Sequence, residues 1–292
     1  MWYVDKYLPY VHPHFKKKKT LLKKTTPFQT IEIMDLEFFG KSCSINGIPQ
    51  SSEKDEWVYH ECLIHPAMLL LPEKKKLDIL ILGTGEGATA RELLKYKNVA
   101  KITSLDIDRE VVKVFKKHFP EVHQGSFNNP KIKFVTDSAG NFLNDSNEEY
   151  DLIISDITDV EFFDLGAKAI KSQKDFYSLI KKHLRPEGVL AMHSSEITEL
   201  EYKKHFKLKR LLQTIFPAVY SYRYFMPYFS NVWGFLLAFP HKKINPQEIS
   251  EQEVDRKIRA RGLKNKLKLI SGRVFRSLFT FSPYLQKKEK KL

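Results

Sequence analysis

Three acidic residues in this chain stand where chemistry would use them. Leu77-Asp78-Ile79-Leu80-Ile81-Leu82 is an apolar run stopping at Gly83, and three later strand-like runs, over 101–105, 131–135 and 150–155, lead into Asp106, Asp137 and Asp156. In an open α/β sheet ligands bind beyond the carboxyl ends of the strands, which would bring the three carboxylates to one crevice. Each could instead serve as a helix N-cap, a position that favours Asp. The sharpest feature is Asp156-Ile157-Thr158-Asp159. Two acids three apart on a strand-to-loop turn can hold a cation, and each raises the pKa of the other, improving one as a proton acceptor. A pair of ordinary turn residues is the plainer reading.

Gly83-Thr84-Gly85-Glu86-Gly87-Ala88-Thr89 follows the first run and opens a helix, letting backbone pass close to a ligand at the helix N-terminus. It lacks the third glycine of a dinucleotide fingerprint, and Glu86 would repel a pyrophosphate. Asp106 lies where an acid commonly takes a ribose hydroxyl pair, and Asp137 could accept from an adenine amino group. Together these residues fit an adenosine with a cationic, phosphate-free tail, a sulfonium nucleoside. Upstream, residues 50–61 are dense in polar and aromatic groups. They read as a capped helix start, and His60 alone reads as structural.

The elements that would position these residues follow from periodicity. Residues 25–50 alternate in short bursts around Asn46-Gly47, the pattern of antiparallel strands joined by turns. A helix is expected over 56–70, then helices over 88–96, 109–118 and 175–183 between the strands, and a fifth strand over 188–193. This alternation predicts an α/β fold with a doubly wound, mostly parallel sheet. The expected division is an N-terminal β-strand domain with a basic lead-in over 1–55, and a Rossmann-like catalytic domain with a basic C-terminal segment over 56–292.

Composition narrows the class. The 292 residues carry a formal charge of +14, with 42% hydrophobic and 29% charged residues, as in a globular protein. The basicity sits at the ends: residues 1–30 hold seven lysines against one acid, and residues 256–292 hold thirteen Lys and Arg against one acid. The body between them is net acidic. Two cysteines, Cys43 and Cys62, make neither a disulfide framework nor a zinc site, and no run is long enough to span a bilayer. The expectation is a reduced, cytoplasmic protein without membrane or metal.

The ordered set of motifs resembles the spermidine synthase family, the polyamine aminopropyltransferases. Its carriers are Phe28-Gln29, the stretch from Gln50 through Tyr59-His60-Glu61, the loop Gly83–Gly87, Asp106-Ile107-Asp108, Asp137, Asp156–Asp159, Tyr228 with Trp233, and the segment 275–284. The resemblance implies a class I methyltransferase-like Rossmann fold and no cofactor, with decarboxylated S-adenosylmethionine as co-substrate and a polyamine as acceptor. Carried over by position, it implies that Gln29, His60, Gly83, Gly85, Glu86, Asp106, Asp137 and Ser138 contact the donor. Tyr59, Asp159 and Tyr228 would line the acceptor channel, and Asp156 would accept the proton. A homodimer or homotetramer is implied as well.

Departures from the common pattern bear on the acceptor. Leu82 to Gly87 with Glu86, Asp106, and Ala90-Arg91-Glu92-Leu93 look more like the thermospermine synthase branch, as do 256–261 and 271–273. That branch takes spermidine, so spermidine is favoured over putrescine. Val160 replaces a usual proline, and the segment 161–172, the expected lid, lacks the usual Gly-Pro run. One rival is a methyltransferase using S-adenosylmethionine itself, whose methionyl carboxylate would meet Glu86 and the Asp156/Asp159 pair. The other is a nucleic-acid-binding protein acting through its basic ends, though lysine runs without interleaved aromatics are usually solvated.

Overall fold

The structure is a computed structural model, and it describes residues 1–73, 76–157, 172–241 and 245–291. The chain opens with five strands: β1 (Trp2–Val4), β2 (His14–Thr25), β3 (Thr30–Leu36), β4 (Gly40–Ile45) and β5 (Ile48–Ser52). They form one antiparallel sheet in chain order. The expected hairpin over 25–50 is thus the second half of a larger sheet.

The basic lead-in is a strand rather than a solvated tail. Its lysines meet acids on neighbouring elements: Lys17 bonds Glu32 at 2.9 Å on β3, and Lys24 bonds Glu110 at 2.5 Å in the first turn of the helix over 109–118. A cross-strand ion pair such as Lys17–Glu32 supports a sheet where like charges would oppose it.

Helix α1 (Glu56–Leu70) matches its predicted span. It is buried nearly all round, which is why its apolar residues show no single stripe. Pro66 lies inside it, and no basic residue of its own sits in its last turn. Its terminal carbonyls are served from far along the chain: Lys257 donates to the Leu69 carbonyl, and Arg261 to those of Met68 and Leu71. Part of the C-terminal basicity therefore caps a helix.

The second sheet is built from β6 (Leu77–Leu82), α2 (Ala88–Leu94), β7 (Val99–Asp106), α3 (Arg109–His118), α4 (Pro120–His123), β8 (Ile132–Thr136), α5 (Ala139–Asp145), β9 (Tyr150–Ser155), α6 (Gln173–Lys182) and β10 (Leu184–Glu196). There follow α7 (Lys203–Gln213), β11 (Ala218–Met226), β12 (Asn231–Phe239), α8 (Glu251–Ala260), α9 (Gly272–Leu278) and α10 (Pro283–Lys291). Strand order is β11-β12-β10-β9-β6-β7-β8, parallel from β10 to β8, with β12 and β11 antiparallel. β6 and β9 are mostly apolar runs because both faces of the sheet are covered by packed elements; Ile79, Leu80, Leu152 and Ile153 are fully buried.

Chain order reverses between β6 and β9, which lie side by side. That topological switch is where a crevice opens at the carboxyl ends of the strands.

Candidate active site

A cleft of about 390 Å³ lies at that switch, walled by the second sheet, α1 and the N-terminal sheet. Gln29, Tyr59, His60, Gly83, Gly85, Glu86, Asp106, Asp137, Ser138 and Asp156 all line it. The three strand-end acids do share one crevice, and for Asp106 and Asp137 the helix-capping alternative does not hold. Asp108 caps α3 and Ser138 caps α5, each one or two residues beyond the strand-end acid.

Asp156 is held from two helices. The Tyr59 hydroxyl of α1 donates to its Oδ1 at 2.6 Å, and the Thr89 hydroxyl of α2 donates to its Oδ2 at 3.1 Å. Its backbone N–H is anchored on the Leu82 carbonyl. Gly83 explains the close approach beneath it: at φ +93° the position favours glycine, and a Cβ there would stand 2.3 Å from the Asp156 carbonyl oxygen.

Asp106 accepts the N–H groups of Thr84 (3.2 Å) and Gly85 (3.1 Å) on one oxygen, and that of Asp108 on the other at 2.9 Å. Burial pushes its pKa up to about 6, against the pull of those backbone donors. Asp137 accepts from the Ser138 N–H at 2.7 Å, and the Ser138 hydroxyl is engaged by the Asn141 N–H at the start of α5. Gln29 reaches across from the first sheet to Asp108 at 3.0 Å, and Thr26 bonds the same oxygen at 2.7 Å.

His60 is more than a structural residue. Burial works against a charged ring, but a hydrogen bond to Glu56 and the charges of Glu86 and Glu56 outweigh it and lift the pKa to about 9. Its Nδ1 donates to the Glu56 carbonyl at 2.7 Å and Oε2 at 3.0 Å, and its Nε2 faces Glu86 Oε1 at 3.5 Å. Glu56 is locked in turn by Arg91, at 2.7 and 2.9 Å. Burial, with Asp156 nearby, raises the Glu86 pKa, and His60 pulls the other way. A second cation beside Glu86 and Asp156 would relieve both effects.

One sequence expectation meets a different outcome. Tyr228 does not line the cleft. It is 2% exposed and packs with Tyr3, Phe15 and Phe39 under the first sheet, its ring 5.1 Å from that of Phe39. The turn after β11 places its neighbour Phe229 in the cleft instead. Asp159, with the expected lid over 160–172, lies outside the described residues except for Ser172, which caps α6.

Other cleft residues carried no local sequence signal. The N-terminal segment contributes Asp5 and Tyr7: Asp5, only 5% exposed, has its pKa raised by burial, and the Tyr7 hydroxyl reaches Glu196 at 3.1 Å. Tyr59, Phe229, Trp233 and Tyr7 form a continuous aromatic wall with ring-to-ring steps of 6.0, 5.2 and 5.7 Å. His193 from β10 completes it. Acids at its ends and rings between them suit a polycation with apolar links.

Glu61, His65 and Glu92 form a cluster of metal-ligand type, with ligand atoms within 4.8 Å of one another. Its polar atoms are already committed. Glu61 accepts three backbone N–H groups from 268–270, and His65 bridges Tyr96 and Glu92 at 2.8 Å each. Glu92 also pairs with Arg91 and Lys95. Cys43 and Cys62 are free and buried, and no described helix is long and apolar enough to cross a membrane.

The solved structures agree with this architecture. A spermidine synthase in complex with the transition state analogue AdoDATO superposes with a TM-score of 0.86 over 100% of this chain and 96% of that one, at 24% identity. The spermidine synthase from Thermotoga maritima gives 0.85 over 100% and 95%, also at 24% identity. Among sequence relatives, a polyamine aminopropyltransferase of Sulfurisphaera tokodaii is 31% identical over 285 residues, 98% of this chain and 92% of its own. Polyamine aminopropyltransferase 2 of Pseudomonas aeruginosa is 34% identical over 244 residues, 84% of this chain and 68% of its own. The family model described as the spermine/spermidine synthase domain matches residues 56–248, which include α1, the glycine loop and Asp156. A chain with that match and with relatives of this identity and coverage belongs to the spermine/spermidine synthase family.

Proposed function

We propose that this protein transfers an aminopropyl group from decarboxylated S-adenosylmethionine to a primary amine of a polyamine, releasing methylthioadenosine. The observation that carries the reading is Asp156, fixed by Tyr59 and Thr89 at the switch point of a carboxylate-lined cleft, with Glu86 in the same wall. The amine nitrogen bonds to the propyl carbon beside the sulfonium, that carbon–sulfur bond breaks with its electron pair going to sulfur, and the amine proton passes to Asp156. The balance closes without a cofactor.

The proton is the difficulty. An amine with a pKa near 10 is about one part in a thousand neutral at pH 7, a cost of roughly 4 kcal/mol. Asp156 removes that proton and holds the nitrogen in line. Asp106 accepts from the ribose hydroxyls, Asp137 and Ser138 face the adenine side, Gln29 braces Asp108, and Glu86 with His60 sets the field around the sulfonium tail. Tyr59 and Asp159 belong to the acceptor channel.

One assay tests the reading. Purified protein is given decarboxylated S-adenosylmethionine with putrescine, spermidine or agmatine separately, and methylthioadenosine is measured. Turnover is expected, with spermidine preferred; no methylthioadenosine with any amine refutes the assignment. The same reading has the enzyme cytoplasmic and a homodimer or homotetramer, the latter measurable by sedimentation.

Asp106 gives a pH test with a definite sign. Its folded pKa of about 6 lies above the ordinary aspartate value of 3.8. Between those values the folded chain holds the extra proton, so this group stabilises the fold as pH falls through 6. Protonation also removes the acceptor for the ribose hydroxyls. Donor affinity is therefore expected to be flat above pH 7 and to fall below 6, approaching about tenfold per unit. Calorimetric titration of methylthioadenosine from pH 5 to 8 reads it; equal affinity across that range removes Asp106 from donor binding.

A further inference from the structure

The Asp108 carboxylate is 2% exposed and joins two distant parts of the chain. Its Oδ1 accepts the Glu110 N–H at 3.0 Å and so caps α3. Its Oδ2 faces the loop between β2 and β3, where it accepts the Thr26 hydroxyl at 2.7 Å and the Gln29 side-chain amide at 3.0 Å. A helix cap needs only the first oxygen. The second grips a cleft residue, for Gln29 lines the cleft and Asp108 itself does not.

A carboxylate oxygen accepts and never donates, so the Gln29 amide must turn its nitrogen to Asp108. Gln29 Oε1 is the atom left over. It has no partner among the described residues, and it is not one of the side-chain atoms closed off from solvent. The neighbouring strand-end acid has little capacity to spare. Asp106 Oδ2 accepts the N–H groups of Thr84 and Gly85, and Oδ1 accepts that of Asp108. Backbone therefore fills three of the roughly four lone-pair sites on that carboxylate. A ribose brings two adjacent hydroxyl protons, which would have to share what remains. A second acceptor beside Asp106 relieves that crowding.

We infer that Asp108 is a positioning residue for the donor nucleoside: it holds the Gln29 amide with its nitrogen away from the cleft and its oxygen toward it, ready to accept from one of the ribose hydroxyls. This rests on the transferase reading above and deepens its donor site. The groups around Asp156 are untouched, so the device acts on donor affinity and leaves the transfer step alone.

Asp108→Asn reverses the polarity of this contact and little else. The oxygen of the new amide keeps the cap on α3, since Asn caps helices as well as Asp. Its NH2 group takes the place of Oδ2. The Thr26 oxygen can accept from it, with the Thr26 proton passing to the Gln29 carbonyl 3.2 Å away. The Gln29 amide can accept as well by turning over, which shows NH2 to the cleft and leaves one ribose proton without its acceptor.

Calorimetric titration with methylthioadenosine reads the change. Asp108→Asn is expected to weaken binding about tenfold, with kcat at saturating donor within about threefold of native. Adding Gln29→Glu restores an acceptor, because one Glu oxygen takes the new NH2 and the other faces the ribose. The double variant is expected to return to within about threefold of native affinity. Gln29→Glu alone sets two carboxylates against each other and is expected to weaken binding too. The 2′- and 3′-deoxy analogues of methylthioadenosine identify the hydroxyl. Removing one of them is expected to cost the native protein about tenfold and Asp108→Asn no more than about threefold. Native affinity in Asp108→Asn, a double variant that does not recover, or deoxy analogues that lose equally in both proteins overturns the inference and leaves Asp108 a helix cap. A native protein that does not bind methylthioadenosine at all overturns the transferase reading with it.

Discussion

Replacing Asp156 by Asn is expected to lower kcat by about 10²–10⁴-fold, the usual worth of a positioned general base. The substitution isolates the charge. An Asn oxygen still accepts from Tyr59 at the position of Oδ1, and its amide can donate to the Thr89 hydroxyl where Oδ2 now accepts, so the turn keeps its anchors. What disappears is the group that takes the amine proton and one of the negative charges that supports His60. Methylthioadenosine affinity is therefore expected to stay within about threefold, because the nucleoside is held by Asp106 and its neighbours. Single-turnover measurement of methylthioadenosine release separates the two effects. Native turnover by the variant assigns the proton to another group; a lost nucleoside affinity makes Asp156 a donor residue instead.

The second large effect is expected at a residue with no side chain. Gly83→Ala forces a Cβ to within 2.3 Å of the Asp156 carbonyl oxygen and 2.7 Å of its carbon, at a backbone φ of +93°. The left-handed conformation alone costs about 1–2 kcal/mol. The overlap is with backbone and cannot be relieved by a side-chain rotation, so β6 and β9 must separate at their ends. A displacement of about 1 Å at a catalytic group costs around 100-fold in rate. Gly83→Ala should thus lose activity about as severely as many direct active-site changes, with a lowered Tm. Gly47→Ala is the control, with a similar φ of +81° but no heavy atom within 4 Å of its Cβ. If Gly83→Ala behaves like that control, the packing argument fails.

The legible parts of this protein are those in which local pattern and burial agree. β6 and β9 announce themselves as mostly apolar runs, interrupted near their starts by Asp78 and Asp151, because both faces are covered, and α1 keeps its predicted bounds despite its lack of a stripe. The acids Asp106, Asp137 and Asp156 were legible because each follows a strand at the same edge of one sheet. The lysine-rich β2 was not: its charges are complemented by Glu32 and Glu110, distant in sequence, and its register to β3 shifts twice. Tyr228 was misplaced by one residue of turn geometry. After β11 the chain turns through Ser230 at φ +50°, and adjacent side chains face opposite ways, Tyr228 into the first sheet and Phe229 into the cleft. Asp5, Tyr7 and His193 reach the cleft only through tertiary folding, and nothing in their immediate neighbours marks them.

The far-off capping of α1 imposes an order of events during synthesis. The helix that presents Tyr59 and His60 has its end carbonyls held by Lys257 and Arg261, separated from their partners by 188 to 193 positions. Its Glu61 is committed to the backbone at 268–270, more than 200 positions on. On a ribosome adding about 5–20 residues per second, α1 waits roughly ten seconds or more between emerging and being secured. Until then Glu61 is a carboxylate without its donors, next to the residues that will grip Asp156. A nascent chain can therefore build both sheets before it owns a finished catalytic wall, and reactivity arrives late, with the last stretch of chain to dock.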